Sequence, residues 1–423
     1  MTSDDIPPVS PDSAVSPRDQ RTEPGVRQPI RTASGRDVDI AIVGGGLSGS
    51  LAAVLLSRAG YRVAVVDIHP VYPPDFRCEK LDEEQLTLLD AIGMSDCLAG
   101  VTTPIEEMCV ARFGRLIERK KTTEHGFLYD HFVNAVRARI PADVDFLVGR
   151  VAGVDAGPKR QRLILSDGRL IDARLIVLAT GLGDAVRQMV GIKRRMIRPG
   201  HSVTFGFSMT PAAGHTFEFP ALTYYSERVA DRLAYISIFP IGDAMRANLF
   251  GYRGHDDPWT RAFCRAPHEA LFTAMPVLLQ FIGEFIVLDK VRMRMADLYV
   301  ADNCRRDGVV LVGDAFQTTC PAAGTGVDRV LTDVSRLCNV HVPRWFATPG
   351  MGADKIAQFY DDPVKQACDA QSAYDAEYCR SFSLDRGLRW QAVRWRAYLR
   401  PRLGRWLNSG REARPTLVTS NLR

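Results

Sequence analysis

The sequence has no CxxC pair and no cluster of cysteine and histidine at zinc-ligand spacing. Its nine cysteines (78, 97, 109, 264, 304, 320, 338, 368 and 379) are odd in number and scattered along 423 residues. That excludes a zinc ribbon or a disulfide framework and predicts reduced thiols in a cytoplasmic protein. The eight histidines form no HxxxH pair, so no metal is expected. Runs long enough for a membrane span of about 20 apolar residues are lacking. The most apolar window, 271–288, is broken by Thr273, Pro276, Gln280, Gly283 and Glu284 and predicts a core helix. The first residues also lack the charged start and apolar stretch of a secretory signal.

Charge of one sign is lacking as well. The net charge is only +5, with 24% charged and 46% hydrophobic residues, an ordinary globular composition that excludes collagen, coiled coil and wholly disordered chains. Residues 1–36 sum to zero, whereas residues 380–423 carry eleven arginines against Asp385 and Glu412, or +9, which leaves the body near −4. A mildly acidic body argues against a nucleic-acid partner, since such a protein carries its positive charge on the folded domain.

Residues 1–36 are rich in Pro, Ser, Thr, Asp and Arg and predict a disordered leader. Order is expected from the β-branched run 38–43, which enters Gly44, Gly45, Gly46, Leu47, Ser48, Gly49 and then a helix ending at Gly60. A second strand ends in Asp67. Asp130 is placed to cap a later helix bearing Phe132, Val133, Val136 and Ile140, and strands are predicted over 146–151, 162–165 and 175–179. From about 195 to 300 the pattern turns to alternating strands, and at Val309 the first texture returns. No internal repeat is present.

The GxGxxG of Gly44, Gly46 and Gly49 lies between strand and helix, where one glycine permits the tight turn, the next lets a pyrophosphate approach, and the third lets helix and strand pack closely. Asp67, 23 positions after Gly44, suits a ribose hydroxyl and disfavours a 2′-phosphate, which points to FAD or NAD.

A second signal separates flavin from nicotinamide. Leu311, Val312, Gly313, Asp314, Ala315, Phe316, then Pro321, Ala322, Ala323, Gly324, Thr325, Gly326, with Asp333 on the next helix, resembles the flavin-binding motif of the FAD-dependent aromatic hydroxylases of the para-hydroxybenzoate hydroxylase fold. The resemblance runs over about residues 38–335. It implies that Asp314 binds the ribityl chain, that Pro321, Gly324 and Gly326 lie against the isoalloxazine, that Arg77 reaches the FAD phosphates and that the Val151 backbone meets adenine. Pro240 to Arg246 resembles the family's substrate-sheet strand and turn.

The implied fold is α/β: a Rossmann-like FAD-binding domain of the GR2 type (37–195 and 300–340), an inserted antiparallel substrate sheet (196–299) and a helical C-terminus (341–423). The implied activity is oxygenation of a small aromatic or hydrophobic substrate with dioxygen, through a flavin C4a-hydroperoxide. The catalytic base is left unassigned.

One segment departs from the family. Where an ADGxxSxxR pattern is usual, this chain has Ala179, Thr180, Gly181, Leu182, Gly183, Asp184, Ala185, Val186, Arg187. Since that segment serves both FAD and NAD(P)H, two reductants stay open: NADH or NADPH directly, or a separate flavin reductase. Relatives of the same fold, a flavin-dependent halogenase or an isoprenoid or alkene reductase, are the alternatives, beside a non-catalytic FAD-binding protein at a membrane. The WxWxIP segment usual in halogenases is absent, and Lys80, which would be the catalytic lysine of one, reads as a solvated side chain.

Further candidates are Cys320 beside the flavin turn, expected as a buried unreactive thiol rather than a covalent flavin link or a group that tunes the ring; His131, His201, His215 and His255 as acid or base groups or else ordinary surface and core histidines; and Tyr224, Tyr225, Tyr235 and Tyr252 as pocket walls or sheet packing. In the tail, Leu388, Ala392, Trp395 and Leu399 share one helical face among arginines, with Trp390 and Trp406 nearby. Such a segment suits either peripheral contact with an anionic membrane or packing on the acidic body.

Overall fold

The computed structural model describes residues 35–412, with side chains as far as Arg400. The leader, but for its last two residues, and the tail beyond 412 lie outside the described residues, as does the side chain of Trp406.

Five parallel strands form the centre, in the order Val309–Leu311, Leu175–Leu178, Ile40–Val43, Val63–Asp67, Asp145–Val148. They read as continuous apolar runs because both faces are covered. Ile40, Ile42, Val65 and Val177 pack under the helices Leu47–Arg58, Tyr129–Arg137 and Gly326–Arg336. Ala41, Val43, Ala64 and Ile176 face a four-stranded sheet of Arg36–Asp37, Leu170–Ala173, Gln161–Leu165 and Val151–Asp155.

A nine-stranded sheet forms a second layer. The 196–299 segment supplies most of it, but Lys80–Leu81, Thr103–Arg112 and Arg115–Gly126 also belong to it, although their sequence position falls inside the segment expected to form the dinucleotide-binding domain. The sheet is antiparallel except where Leu222–Tyr225 runs parallel to Thr103–Arg112. One face buries Phe205, Phe207, Ile236 and Leu249 against Phe263, Leu271 and Leu278. The other looks toward the parallel sheet across a cavity.

Three local expectations are corrected. Residues 146–151 are not one strand: Asp145–Val148 and Val151–Asp155 join different sheets, separated by a turn in which the Gly149 amide donates to the Asp67 carbonyl (2.8 Å). Asp130 does not cap its helix, which starts one residue earlier at Tyr129 without a side-chain cap. The 271–288 window is no single helix. Pro276 and Gly283, the latter at φ +62°, divide it into Pro267–Ala274, Leu279–Ile282 and the strand Phe285–Val287.

The C-terminal region is helical, with Ala353–Tyr360, Pro363–Leu384 and Leu388–Glu412. Asp362 starts the second of these by accepting the amides of Val364 (2.9 Å) and Lys365 (3.1 Å). Among the described residues no helix is long and apolar enough to cross a membrane.

Candidate flavin and substrate site

The first turn follows from its glycines. A Cβ on Gly44, at φ +103°, would run into the Ala179 carbonyl, and one on Gly49 would run into the carbonyl of Gly44 itself. Only hydrogen fits at either place. Gly46 is different: its φ is an ordinary −72°, and the nearest atom to an added Cβ is on Tyr72, 3.9 Å away. No protein atom requires a glycine there. The space lies before the N-terminus of Leu47–Arg58, a helix with no side-chain cap, so open backbone amides and the helix dipole face a region suited to a diphosphate.

Asp67 closes the far side. Its carboxylate accepts the Gly45 amide (2.6 Å) and the His69 amide (2.8 Å) and lies 3.3 Å from Arg137 Nη2. Arg137 in turn donates from Nε to the Gly45 carbonyl (2.6 Å). The acid expected on a ribose therefore also holds the glycine turn. Arg137, which nothing in the sequence marks beyond a cation in the last turn of its helix, ties the two together. Val151 is buried at the head of its strand, two residues beyond the Gly149 that bonds to Asp67.

The second turn is held from below. The Gly313 amide, at φ +60°, donates to Asp333 Oδ2 (2.8 Å), and Asp333 Oδ1 accepts from Lys365 Nζ (2.7 Å), both side chains being 1% exposed. Asp314 Oδ2 accepts from Arg77 Nη1 (3.0 Å), and its carbonyl accepts the Tyr299 hydroxyl (2.7 Å). Arg77 also bonds to Asp75 (2.6 Å), which pairs with Arg294 (2.9 Å). Burial alone would raise the Asp75 carboxyl, but the two arginines hold it below the usual carboxylate range. Farther along, the Tyr235 hydroxyl donates to the Ala322 carbonyl (2.9 Å) and Gln85 Nε2 to that of Gly324 (3.0 Å), which fixes the turn before the helix Gly326–Arg336.

Between these turns and the large sheet lies a cavity of about 870 Å³. Leu47, Arg77, Asp314, Pro321, Gly324 and Gly326 line it on the nucleotide side. Gly44, Gly46, Ser48 and Gly49 form the adjoining turn, and Ser48 Oγ would be 3.3 Å from a Cβ on Gly313, so the two glycine turns face each other. The sheet side is largely apolar, with Met108, Val110, Phe239 and Phe250.

Of the four tyrosines, Tyr225 and Tyr235 line the cavity, while Tyr224 points into the core behind with its hydroxyl on Glu227 (2.6 Å) and Tyr252 packs edge-on to His201. His131 and His255 are exposed. Cys320 is wholly buried behind the turn, 3.8 Å from both the Tyr252 hydroxyl and Ser202 Oγ, and burial pushes its thiol pKa up. Lys80 is not solvated: it lines the cavity and pairs with Glu124 at 2.5 Å. In the departing segment, Asp184 forms an ion pair with the buried Arg187 and approaches Arg194 (3.3 Å).

A family model described as the FAD binding domain matches residues 37–340. The chain belongs to this family. It is 26% identical over 359 residues to the ubiquinone hydroxylase UbiL of Rhodospirillum rubrum, covering 78% of this chain and 77% of that one. Among solved structures, p-nitrophenol 4-monooxygenase PnpA from Pseudomonas putida superposes with a TM-score of 0.68 at 16% identity, covering 86% of this chain and 93% of that one. The flavin-dependent brominase Bmp2 superposes at 0.64 and 15%, covering 89% and 100%; both structures speak for the fold. The protein is thus an FAD-dependent oxidoreductase of the aromatic-hydroxylase superfamily. The unfilled space at Gly46, the uncapped helix and the paired Arg77 and Asp314 fit that cofactor.

Proposed function

We propose that the enzyme is a monooxygenase that places one atom of dioxygen on a small aromatic or hydrophobic substrate held against the large sheet. The observation that carries this reading is one cavity lined both by the Pro321–Gly324 turn and by Met108, Val110, Phe239 and Phe250 of the large sheet. In the bound state FAD supplies electron transfer and dioxygen activation. The chain contributes the rest. The glycine turn, the Leu47–Arg58 helix and Arg77 would hold the diphosphate of a bound FAD, Asp314 would hold its ribityl chain, and Asp67 and the Val151 backbone would hold its adenosine. Met108, Val110, Phe239 and Phe250 keep water from the reacting face.

Anaerobic mixing of the holoenzyme with NADH and NADPH, followed by flavin absorbance, tests the reductant. Bleaching identifies direct use; bleaching only with an added flavin reductase assigns a two-component system, which the Thr180 and Asp184 departures favour. Admitting labelled dioxygen with candidate aromatic substrates should give products heavier by one oxygen atom. Halogenated products in the presence of halide, or a substrate reduced without oxygen, would replace this reading with a halogenase or a reductase.

A second proposal concerns the tail. Arg394 donates to the carbonyls of Phe382 (2.7 Å) and Asp385 (2.8 Å) and Tyr398 is buried, so the Leu388–Glu412 helix is docked on the body. Yet Leu388 (83%), Trp395 (54%) and Leu399 (45%) are exposed on it beside Arg389, Arg396 and Arg400, an arrangement suited to an anionic membrane surface. Replacing these three apolar residues by serine should abolish pelleting with phosphatidylserine vesicles; equal pelleting would dismiss the idea.

A further inference from the structure

Strand alternation sorts Thr103–Arg112 into two sets. Cys109 and Ala111 enter the core behind the sheet, whereas Met108, Val110 and Arg112 face the cavity. The Arg112 guanidinium carbon lies 3.4 Å from the Tyr225 ring centroid and 5.1 Å from that of Phe382. Other cations on the cavity wall have carboxylate partners: Arg77 and Arg294 with Asp75 (2.6 and 2.9 Å), Lys80 with Glu124 (2.5 Å), and Arg194 with Asp184 (3.3 Å). Lys120 is exposed to solvent. No ion pair forms at Arg112 among the described residues, although burial works against its charge and lowers its pKa. A half-buried guanidinium that meets the Tyr225 side chain but no carboxylate keeps donors and an unbalanced charge for an oxyanion.

Elsewhere on the same face three buried side chains each keep an oxygen without a partner, although Asn248 also bonds to Glu79. Thr204, Ser237 and Asn248 are 4%, 4% and 5% exposed and line the cavity. Thr204 Oγ1, Ser237 Oγ and Asn248 Oδ1 have no hydrogen-bond partner in the protein. Ser237 and Asn248 sit opposite each other on paired strands, with Thr204 on the next strand. Two hydroxyls and an amide oxygen buried in this way carry a desolvation cost until a ligand group or ordered water meets them. The register also gives the spacing. Ser237 is level with Thr223 and Thr223 with Val110, so Arg112 lies two strands across and two residues along, a Cα separation of about 12 Å.

We propose that the cavity selects an elongated substrate with an acidic end bound by Arg112 and an oxygen function, hydroxyl or carbonyl, received by Thr204, Ser237 and Asn248 at the other. The proposal rests on the reading of this cavity as the substrate site and adds the substrate's shape and charge. Arg112 then determines specificity without taking part in oxygen transfer.

The test uses the oxidised holoenzyme and three probes: 4′-hydroxybiphenyl-4-carboxylate, its methyl ester and biphenyl-4-carboxylate, titrated by the change in flavin absorbance. The hydroxy acid should bind about tenfold or more tightly than either the ester or the acid lacking the hydroxyl. Arg112→Met should erase the preference for acid over ester and leave the preference for the hydroxyl, Arg112→Lys should keep part of the first, and Ser237→Ala should weaken the second. Flavin content and the urea midpoint show whether each variant is folded, and the wild-type comparison stands without them. Equal binding of acid and ester by wild type, an undiminished acid preference in folded Arg112→Met, or no binding of the hydroxy acid would overturn the proposal. Because binding is read before any turnover, an intact preference without oxygenated product would count against the monooxygenase reading alone.

Discussion

Lys365→Met tests how the second glycine turn is held. Lys365 Nζ lies 2.7 Å from Asp333, 3.0 Å from Asp369 and 4.2 Å from the Phe316 ring centroid, and its side chain is 1% exposed. Methionine preserves most of the volume and removes the charge. Asp369 retains Arg329 at 2.8 Å, so the uncompensated carboxylate is Asp333, whose other oxygen holds the Gly313 amide. Leaving a buried charge without its partner costs about 3–5 kcal/mol, a large share of the roughly 5–15 kcal/mol that stabilises a typical protein. The cost should appear as a lower urea midpoint followed by tryptophan fluorescence, together with weaker FAD retention because Asp314 follows the loosened Gly313. Asp333→Asn added to Lys365→Met keeps an acceptor for the amide while removing the charge, and should recover about half of the loss. A Lys365→Met protein within about 1 kcal/mol of wild type, or a double variant no better than the single one, would refute this account of the buried pair.

Two glycines of one motif should behave oppositely. Gly46→Val, with open space around it, should leave the folded protein stable and colourless, whereas Gly49→Ala should lower the unfolding midpoint before any question of FAD arises; equal stability losses would refute the distinction. For pH, burial holds the His201 imidazole down at about 4 against its ordinary 6.5, with Arg198 and Arg380 acting in the same direction. The unfolded chain takes up this proton first. Stability from this group is therefore full above about pH 6.5 and falls by about 3 kcal/mol as the pH drops to about 4. His201→Leu should flatten that part of the urea stability profile, and an unchanged slope would show that other groups set it.

Much of the nucleotide half was legible in the sequence because its constraints are local. A strand covered on both faces must be apolar throughout, and the tight turn at Gly44 and the close packing at Gly49 each admit hydrogen alone. The glycine and aspartate after Val309–Leu311 follow the same logic. The breaks at Pro276 and Gly283 were equally local, yet the apolar composition of 271–288 outweighs them when read as a helix.

The large-sheet half is another matter. Thr103–Arg112 belongs to the large sheet only because Leu222–Tyr225 runs beside it, and that pairing, made across more than a hundred residues, decides which alternate side chains see the cavity. Arg112 thereby turns inward and Lys80 meets Glu124. Arg77 reaches Asp314 across 237 residues, and Arg137 and Lys365 act on glycine turns far from them in the chain. The sequence by itself determined a flavin-binding α/β core, through steric and conformational limits that act within a few residues. Only the tertiary structure decided which charges are paired, which lack a carboxylate partner and which side chains line the cavity, because burial and ion pairing depend on neighbours that chain order does not name.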